Sequence, residues 1–316
     1  MNEAEAFSPG HVTGLFSIHE DTDPRRTGSL GAGFCVAQGV TSRVELSFDR
    51  RLSSESRSVG ANSLQAVYSF NGQQAEVPVS RAVVRLFYEQ TGLRSSTPLR
   101  ITQTSTLPVG CGFGTSGAGA LSLALALNAL EGTPLVREEA AALAHLAELE
   151  AGTGLGTVLG ELTGGMEIRI EAGAPGTGRV KLVPYRDDLR AVFLVFGPLS
   201  TAKLLKEPDL RRRINAAGLD LLKEFQSQPN PENYLALAGE FTRRTGLVTP
   251  QLKTAAQSLQ SAGFSTAMLM FGEGLYTLVP NTLVSQVTSL LASFQGVGRI
   301  LVSALDPQGG RVNHVF

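Results

Sequence analysis

The stretch Pro108-Val-Gly-Cys-Gly-Phe-Gly-Thr-Ser-Gly-Ala118 decides how this chain is read. It is entered from the alternating run Leu99–Leu107, which stops at Pro108. It leads into Gly114–Leu130, an almost wholly apolar segment that predicts a buried helix. Gly110, Gly112, Gly114 and Gly117 remove side chains where a bulky ligand would touch backbone amides. The first N–H groups of the following helix are unpaired and sit at the positive end of its dipole, so loop and helix together suit a phosphate. Thr115 and Ser116 place hydroxyls in the first helical turn, where one could ligate Mg²⁺. A Walker loop needs Gly-Lys-Ser/Thr, and the first lysine of the whole chain is Lys181. Gly112-Phe-Gly-Thr-Ser-Gly117 satisfies G-x-G-x-x-G. However, a second helix follows, and no strand ends in a ribose-binding acid as a dinucleotide site requires. The bland alternative is a tight helix-packing turn with no ligand.

Around this loop the composition is that of a globular protein. The chain has 316 residues, about twice a usual domain length, which favours two domains. With 42% hydrophobic and 17% charged residues it is not a disordered chain. Lys plus Arg (27) against Asp plus Glu (28) leaves a net charge of −1, without the basic excess of a nucleic-acid binder. Cys35 and Cys111 are too few for a disulfide framework and suit a reducing compartment. The acidic start MNEAEAFSPG is unlike a signal peptide. The longest apolar run, Leu107–Leu130, is broken by Pro108 and five glycines, so it makes a poor membrane span. A cytoplasmic protein without membrane contact is expected.

Upstream of the loop, His11–Ile18 and Gly33–Val40 read as short strands, and SRVELSF at 42–48 alternates with period two. Leu64–Phe70 followed by NGQQ predicts a hairpin, and Val83, Val84, Leu86 and Phe87 predict a helix over Ser80–Gly92. Downstream, Thr133-Pro134 reads as the N-cap and first position of a helix running to Gly152. Gly165–Glu171 and Arg179–Pro184 read as strands of one sheet, with a boundary at Tyr185–Leu189. Beyond it come strand Ala191–Phe196 and helices within Ser200–Phe225, Pro231–Thr245 and Pro250–Ala262. Strands Thr266–Phe271 and Leu275–Val279, a helix near Thr282–Phe294 and strand Arg299–Ser303 complete the chain. Strands and helices occur in blocks, which predicts an α+β fold in two lobes, residues 1–187 and 188–316.

The glycine loop resembles the Pro-x₃-Gly-Φ-Gly-Ser/Thr-Ser second motif of the GHMP kinases. Ser8–His19 is similar to the first motif of that superfamily, and Ala262–Gly274 to a loose third. Within the superfamily the chain looks most like the archaeal pantoate kinases, through Ser8–Gly14, Gly28–Gly33, Thr153–Val158 and Gly197–Thr201. The resemblance implies a two-lobed GHMP kinase-like fold. Its N-terminal, ATP-binding lobe would be like domain 2 of ribosomal protein S5, and its C-terminal lobe a ferredoxin-like α/β sandwich. It also implies ATP- and Mg²⁺-dependent phosphorylation of (R)-pantoate to (R)-4-phosphopantoate in coenzyme A biosynthesis. A GHMP kinase acting on another small hydroxy or amino acid such as homoserine stays open at this point. So do a GHMP-fold protein that binds nucleotide or metabolite without catalysis, and a homodimer.

The same resemblance assigns roles to residues. Pro108, Gly110, Gly112, Gly114, Thr115, Ser116 and Gly117 would bind the ATP phosphates. Ser116 and Glu148 would ligate Mg²⁺, and Ser29, His145 and Arg169 would hold pantoate. Mg²⁺ takes one or two hard oxygens from protein, which suits the first pair. His145 and Glu148 lie three apart, on one helical face. A substrate carboxylate calls for a cation, and Arg offers a bidentate fork. Arg169 interrupts an apolar strand as a cleft residue would. Alternation puts residues 167, 169 and 171 on one side, so pairing with Glu167 or Glu171 on an exposed face competes with that role. Thr157 stands where many relatives carry Asp as base for the substrate hydroxyl, and Thr cannot accept a proton near neutral pH. A loose phosphoryl transfer has little early need of a base. Glu161, His145 or the substrate's own groups are the candidate substitutes, and the sequence does not choose among them.

Overall fold

The structure, a computed structural model, describes residues 2–47, 66–75, 77–93, 97–199 and 207–316. Strands β1 (Glu3–His19) and β2 (Gly28–Leu46) form one long antiparallel hairpin, with Glu3 opposite Glu45 and His19 opposite Gly28. The short runs expected at 11–18 and 33–40 are pieces of these strands. Their full length is hard to read because β1 is buried on both faces over much of its course, and such strands carry continuous apolar and small residues without alternation.

Strand β3 (Ala66–Phe70) turns into β4 (Gln73–Gln74) through Asn71 and Gly72, both at positive φ (49° and 79°), as the expected hairpin requires. Residues 64–65 and Phe48 of the expected strands lie outside the described residues. Strand β5 (Leu99–Ser105) pairs with one half of β2 and lies parallel to β3. Strand β6 (Met166–Glu171) pairs with the other half of β2 and with β7 (Arg179–Val183). The second sheet has the order β11 (Arg299–Ala304), β8 (Leu189–Pro198), β10 (Gly272–Pro280), β9 (Ala267–Met268). The last strand, β12 (Arg311–Val315), was not expected. It returns to the first sheet and pairs with β1. The lobe beginning near residue 188 therefore does not keep the rest of the chain to itself.

Helix α2 (Thr115–Leu130) packs on β1 and β2, α1 (Pro78–Thr91) and α3 (Arg137–Ala151) pack against α2 and each other, and short α4 (Thr157–Thr163) lies against α2 and β1. Helices α5 (Pro208–Ser227), α6 (Pro231–Thr245), α7 (Pro250–Ser261) and α8 (Val284–Leu291) belong to the second half. Thr133 is not a cap: its φ is +59°, and α3 starts at Arg137. The Asn128 side chain binds both Leu135 N–H and Leu135 C=O, which holds the turn short of the helix. Glu139 then accepts the Val136 N–H. The strand expected over 266–271 is only two residues long. It stops in a tight turn at Leu269–Phe271, where Phe271 has φ +63° and Gly272 N–H donates to Leu269 O.

Two cores result. Phe87, Leu99, Ile101, Leu123 and Val44 join α1–α3 to one half of the hairpin. Leu15, Phe34, Phe193, Tyr234 and Tyr276 join the second sheet and its helices to the other half. Among the described residues no helix is long and apolar enough to cross a membrane.

Candidate active site

A cavity of about 430 Å³ lies where the β1–β2 hairpin passes between the two cores. Its floor is the glycine loop. Gly110, Gly112 and Gly114 have φ of +74°, +85° and +61°, which side-chain-bearing residues adopt only under strain. The loop is tied to both lobes: His11 N–H donates to Phe113 O at 2.9 Å and Leu199 N–H to Gly110 O at 3.2 Å. Gly110, Gly112, Gly114, Thr115 and Ser116 line the cavity, whereas Pro108 and Gly117 flank the loop without lining it. A Cβ at Gly114 would stand 2.6 Å from Glu161 Oε1. Gly114→Val is therefore expected to displace the loop and raise the Kd for ATP more than about tenfold while the far-UV circular dichroism is kept. Near-normal affinity by calorimetry would remove the loop from the phosphate site.

Helix α3 runs antiparallel beside α2 and brings Glu148 to the loop. Ser116 Oγ donates to Glu148 Oε1 at 2.5 Å and Thr153 Oγ1 to the same oxygen at 2.6 Å. Glu148 is buried. Burial raises its carboxyl above the ordinary range, and the two hydroxyls act in the opposite direction. A buried carboxylate and a hydroxyl this close form a hard-oxygen pair, the donor chemistry that Mg²⁺ takes from protein. No cluster of three or more His, Cys, Asp or Glu able to hold a metal exists among the described residues.

Strand β6 carries Glu167 and Arg169, and β1 carries His11. All three are buried, and His11 and Arg169 line the cavity. Arg169 Nη1 donates to Glu167 Oε1 at 2.7 Å, and His11 Nε2 lies 3.1 Å from the same oxygen. That carboxylate acceptor places the His11 proton on Nε2, and Thr13 Oγ1 then donates to Nδ1 at 3.3 Å. The 3.4 Å approach of Arg169 Nη1 to His11 Nε2 is thus a contact between two donors and not a hydrogen bond. Room for the imidazole comes from Gly33, where a Cβ would lie 2.5 Å from His11 Nε2. Arg169 pairs with Glu167, but in the dry wall of the cavity and not on an exposed face, where Glu171 pairs with Arg179 instead. Its buried Nε has no hydrogen-bond partner.

Ser29 and Thr157 also line the cavity. His145 does not. Its Nε2 donates to Thr27 O at 2.9 Å, which ties α3 to the Asp23–Thr27 turn. Burial lowers its pKa, which keeps that ring neutral. Sequence reasoning did not single out His11, Glu167, Thr153, Met270 or Phe271 as site residues, although the first and third motif stretches contained His11, Met270 and Phe271.

Glu161, on α4 beneath the loop, is fully buried and neither of its oxygens has a hydrogen-bond partner. Burial first, then the Glu148 charge, hold its carboxyl well above the ordinary range. The Thr157 hydroxyl beside it, short of hydrogen-bond geometry, pulls the other way. A carboxyl raised on folding binds a proton that the unfolded chain has released, so its contribution to stability is lost as pH rises. From about pH 5 to about pH 8, the melting temperature of the ligand-free protein should therefore fall more for the parent than for Glu161→Gln. Parallel melting curves across that range would show that the carboxyl is not perturbed.

Comparison with known proteins gives one consistent picture. Residues 79–175 match the family model described as "GHMP kinases N terminal domain". The chain is 32% identical over 292 residues to the pantoate kinase of Thermococcus kodakarensis, covering 91% of each chain. It is 30% identical to the pantoate kinase of Methanocaldococcus jannaschii over 90% of this chain and 96% of that one. Among solved structures, a "phosphotransferase related to CoA biosynthesis pathway" superposes with a TM-score of 0.85 at 27% identity, covering 98% of both chains.

Proposed function

The chain belongs to the GHMP kinase family, and from that premise we propose that it transfers the γ-phosphoryl group of ATP to the primary hydroxyl of (R)-pantoate, in the route to coenzyme A. The observation that carries this reading is that one cavity is lined both by the hydrogen-bonded Ser116–Glu148 pair and by Arg169. A hydroxy acid laid between them puts its carboxylate against Arg169 and its hydroxyl towards the phosphate loop.

The residues divide the work. Amides and hydroxyls at the start of α2 cradle the phosphates, whose negative charge favours the helix N-terminus. Mg²⁺ would be held by the Glu148 carboxylate and the Ser116 hydroxyl, and when bound it supplies positive charge to the phosphate oxygens. Thr153 steadies Glu148, and Ser29 borders the acceptor side. Glu167 and His11 fix the plane of the guanidinium that fits a carboxylate. Met270 and Phe271 line the cavity from the second lobe.

A coupled ADP-release assay across a small panel of hydroxy acids, with pantoate and homoserine among them, tests this directly. Turnover with pantoate well above all others is expected. Preference for homoserine would reassign the acceptor, and absence of ADP release with every acid would remove the kinase reading.

A further inference from the structure

Two phenyl rings, Phe16 and Phe271, line the cavity together with Arg169. Phe16 stands opposite Gly31 of β2, and Gly31 stands opposite Arg169 of β6, so the three form one row across the sheet. Directly opposed residues share a face. A Cβ at Gly31 would lie 2.8 Å from Arg169 Nη2 and 2.9 Å from Phe16 Cβ, so the guanidinium and the ring stem converge over the bare glycine. Behind Phe16 lies buried Phe241 of α6, with ring centroids 5.6 Å apart. Phe271 meets Phe16 edge-on at 5.7 Å and 64°.

Phe271 holds its place against its own backbone preference. Its φ of +63° is an outlier for a bulky residue. It occupies the third position of the Leu269–Gly272 turn, where a positive φ favours Gly or Asn. The neighbouring glycine, Gly272, serves another need, since a Cβ there would lie 2.2 Å from Cys111 C and O in the glycine loop. Among the described residues three other than glycine have positive φ, Asn71, Thr133 and Phe271, and Phe271 is the one that lines the cavity. Strain of this kind gathers at ligand clamps. The turn thus aims an aromatic ring into the cavity next to the residue that fits a carboxylate.

We propose that Phe16 and Phe271 form an apolar seat for the two methyl groups of pantoate, so that this ring pair sets the preference for a branched acceptor. This rests on the reading of the acceptor as pantoate. A carboxylate on Arg169 is common to all hydroxy acids and cannot tell them apart. Pantoate differs in carrying two methyl groups on the carbon between its hydroxyl-bearing carbons, separated from the carboxylate by one carbon. With the carboxylate on Arg169, those methyls fall beside the adjoining rings and leave water there.

Specificity constants of the full chain for pantoate and for 2,4-dihydroxybutanoate test this. The second acid keeps the carboxylate and both hydroxyls and lacks the methyls. The parent should favour pantoate at least about tenfold, as apolar pockets discriminate small alkyl groups. Phe271→Asn and Phe271→Gly remove the ring with residues that accept positive φ, so the turn keeps its shape. Each should cut the preference at least about fivefold through a raised KM for pantoate, with KM for ATP within about threefold. Phe271→Leu, which keeps apolar bulk, should retain most of the preference. Melting curves identify a folding failure in either ring-deleting variant, and the other then carries the comparison. Equal specificity constants in a parent that turns over pantoate overturn the seat alone. A preference unchanged within about threefold in a folded ring-deleting variant also overturns it. A raised KM for ATP with equal loss of both acids makes the turn a prop for the glycine loop and overturns the seat too. A parent that prefers homoserine, or phosphorylates no hydroxy acid, overturns the pantoate reading together with the seat.

Discussion

Glu148→Gln is expected to lower turnover roughly a hundredfold to a thousandfold, the ~3–4 kcal/mol that removing one preorganised electrostatic group typically costs. The geometry makes this variant clean. The introduced amide keeps the volume and can still accept hydrogen bonds from Ser116 and Thr153 on its oxygen, so the 2.5 and 2.6 Å contacts need not break. What is lost is the negative charge that would hold Mg²⁺ against the phosphates. Part of the loss should return at high Mg²⁺, while the melting temperature without ligand should hold or rise, because burial already disfavours the ionised carboxyl. Turnover within about threefold of the parent, on a scale of roughly 1.4 kcal/mol per decade, would remove Glu148 from the reacting centre.

Arg169→Ala is expected to cost ~2–4 kcal/mol in kcat/KM for pantoate, with the KM for ATP little changed. The buried partner complicates this variant in a definable way. Removing the guanidinium leaves Glu167 buried with only His11 against it, and breaking a buried pair costs ~3–5 kcal/mol of stability. Arg169→Ala combined with Glu167→Gln relieves that charge and separates a binding defect from an unfolding one. Pantoyl lactone, which lacks the free carboxylate, should be a poor substrate for the parent and lose little more with the variant. Equal weakening of ATP and pantoate would make Arg169 a nucleotide-side residue. No weakening of either would move the acceptor pocket elsewhere.

Much of the site was legible because its chemistry depends on local sequence. Gly110 to Ser116 had to be a loop running into a helix N-terminus, since the glycines adopt positive φ and the apolar run after them fits a helix buried along nearly its whole length. Glu148 could be paired with that loop only through resemblance, because α3 must fold back along α2 before Ser116 and Glu148 meet. His145 shows the limit of face counting. It shares a helical face with Glu148, but Thr27 O in the Asp23–Thr27 turn accepts its hydrogen bond. Thr133 shows the same limit at a cap, where the Asn128 side chain overrode a good local signal.

From the sequence alone came a glycine-rich loop entering a buried helix, the two-lobed α+β class and the absence of a Walker lysine, because each is encoded within a few consecutive residues by backbone freedom, patterning or residue type. Only the tertiary structure decided that one hairpin serves both cores and that the last strand returns to the first sheet. It alone brought His11, Glu167 and Arg169 together in a dry wall, and set the Thr157–Glu161 pair beneath Gly117. Those arrangements join residues more than a hundred positions apart, or depend on which face of an element is buried. Neither is set by local propensity, and both are chosen by how the sheets and helices exclude water together.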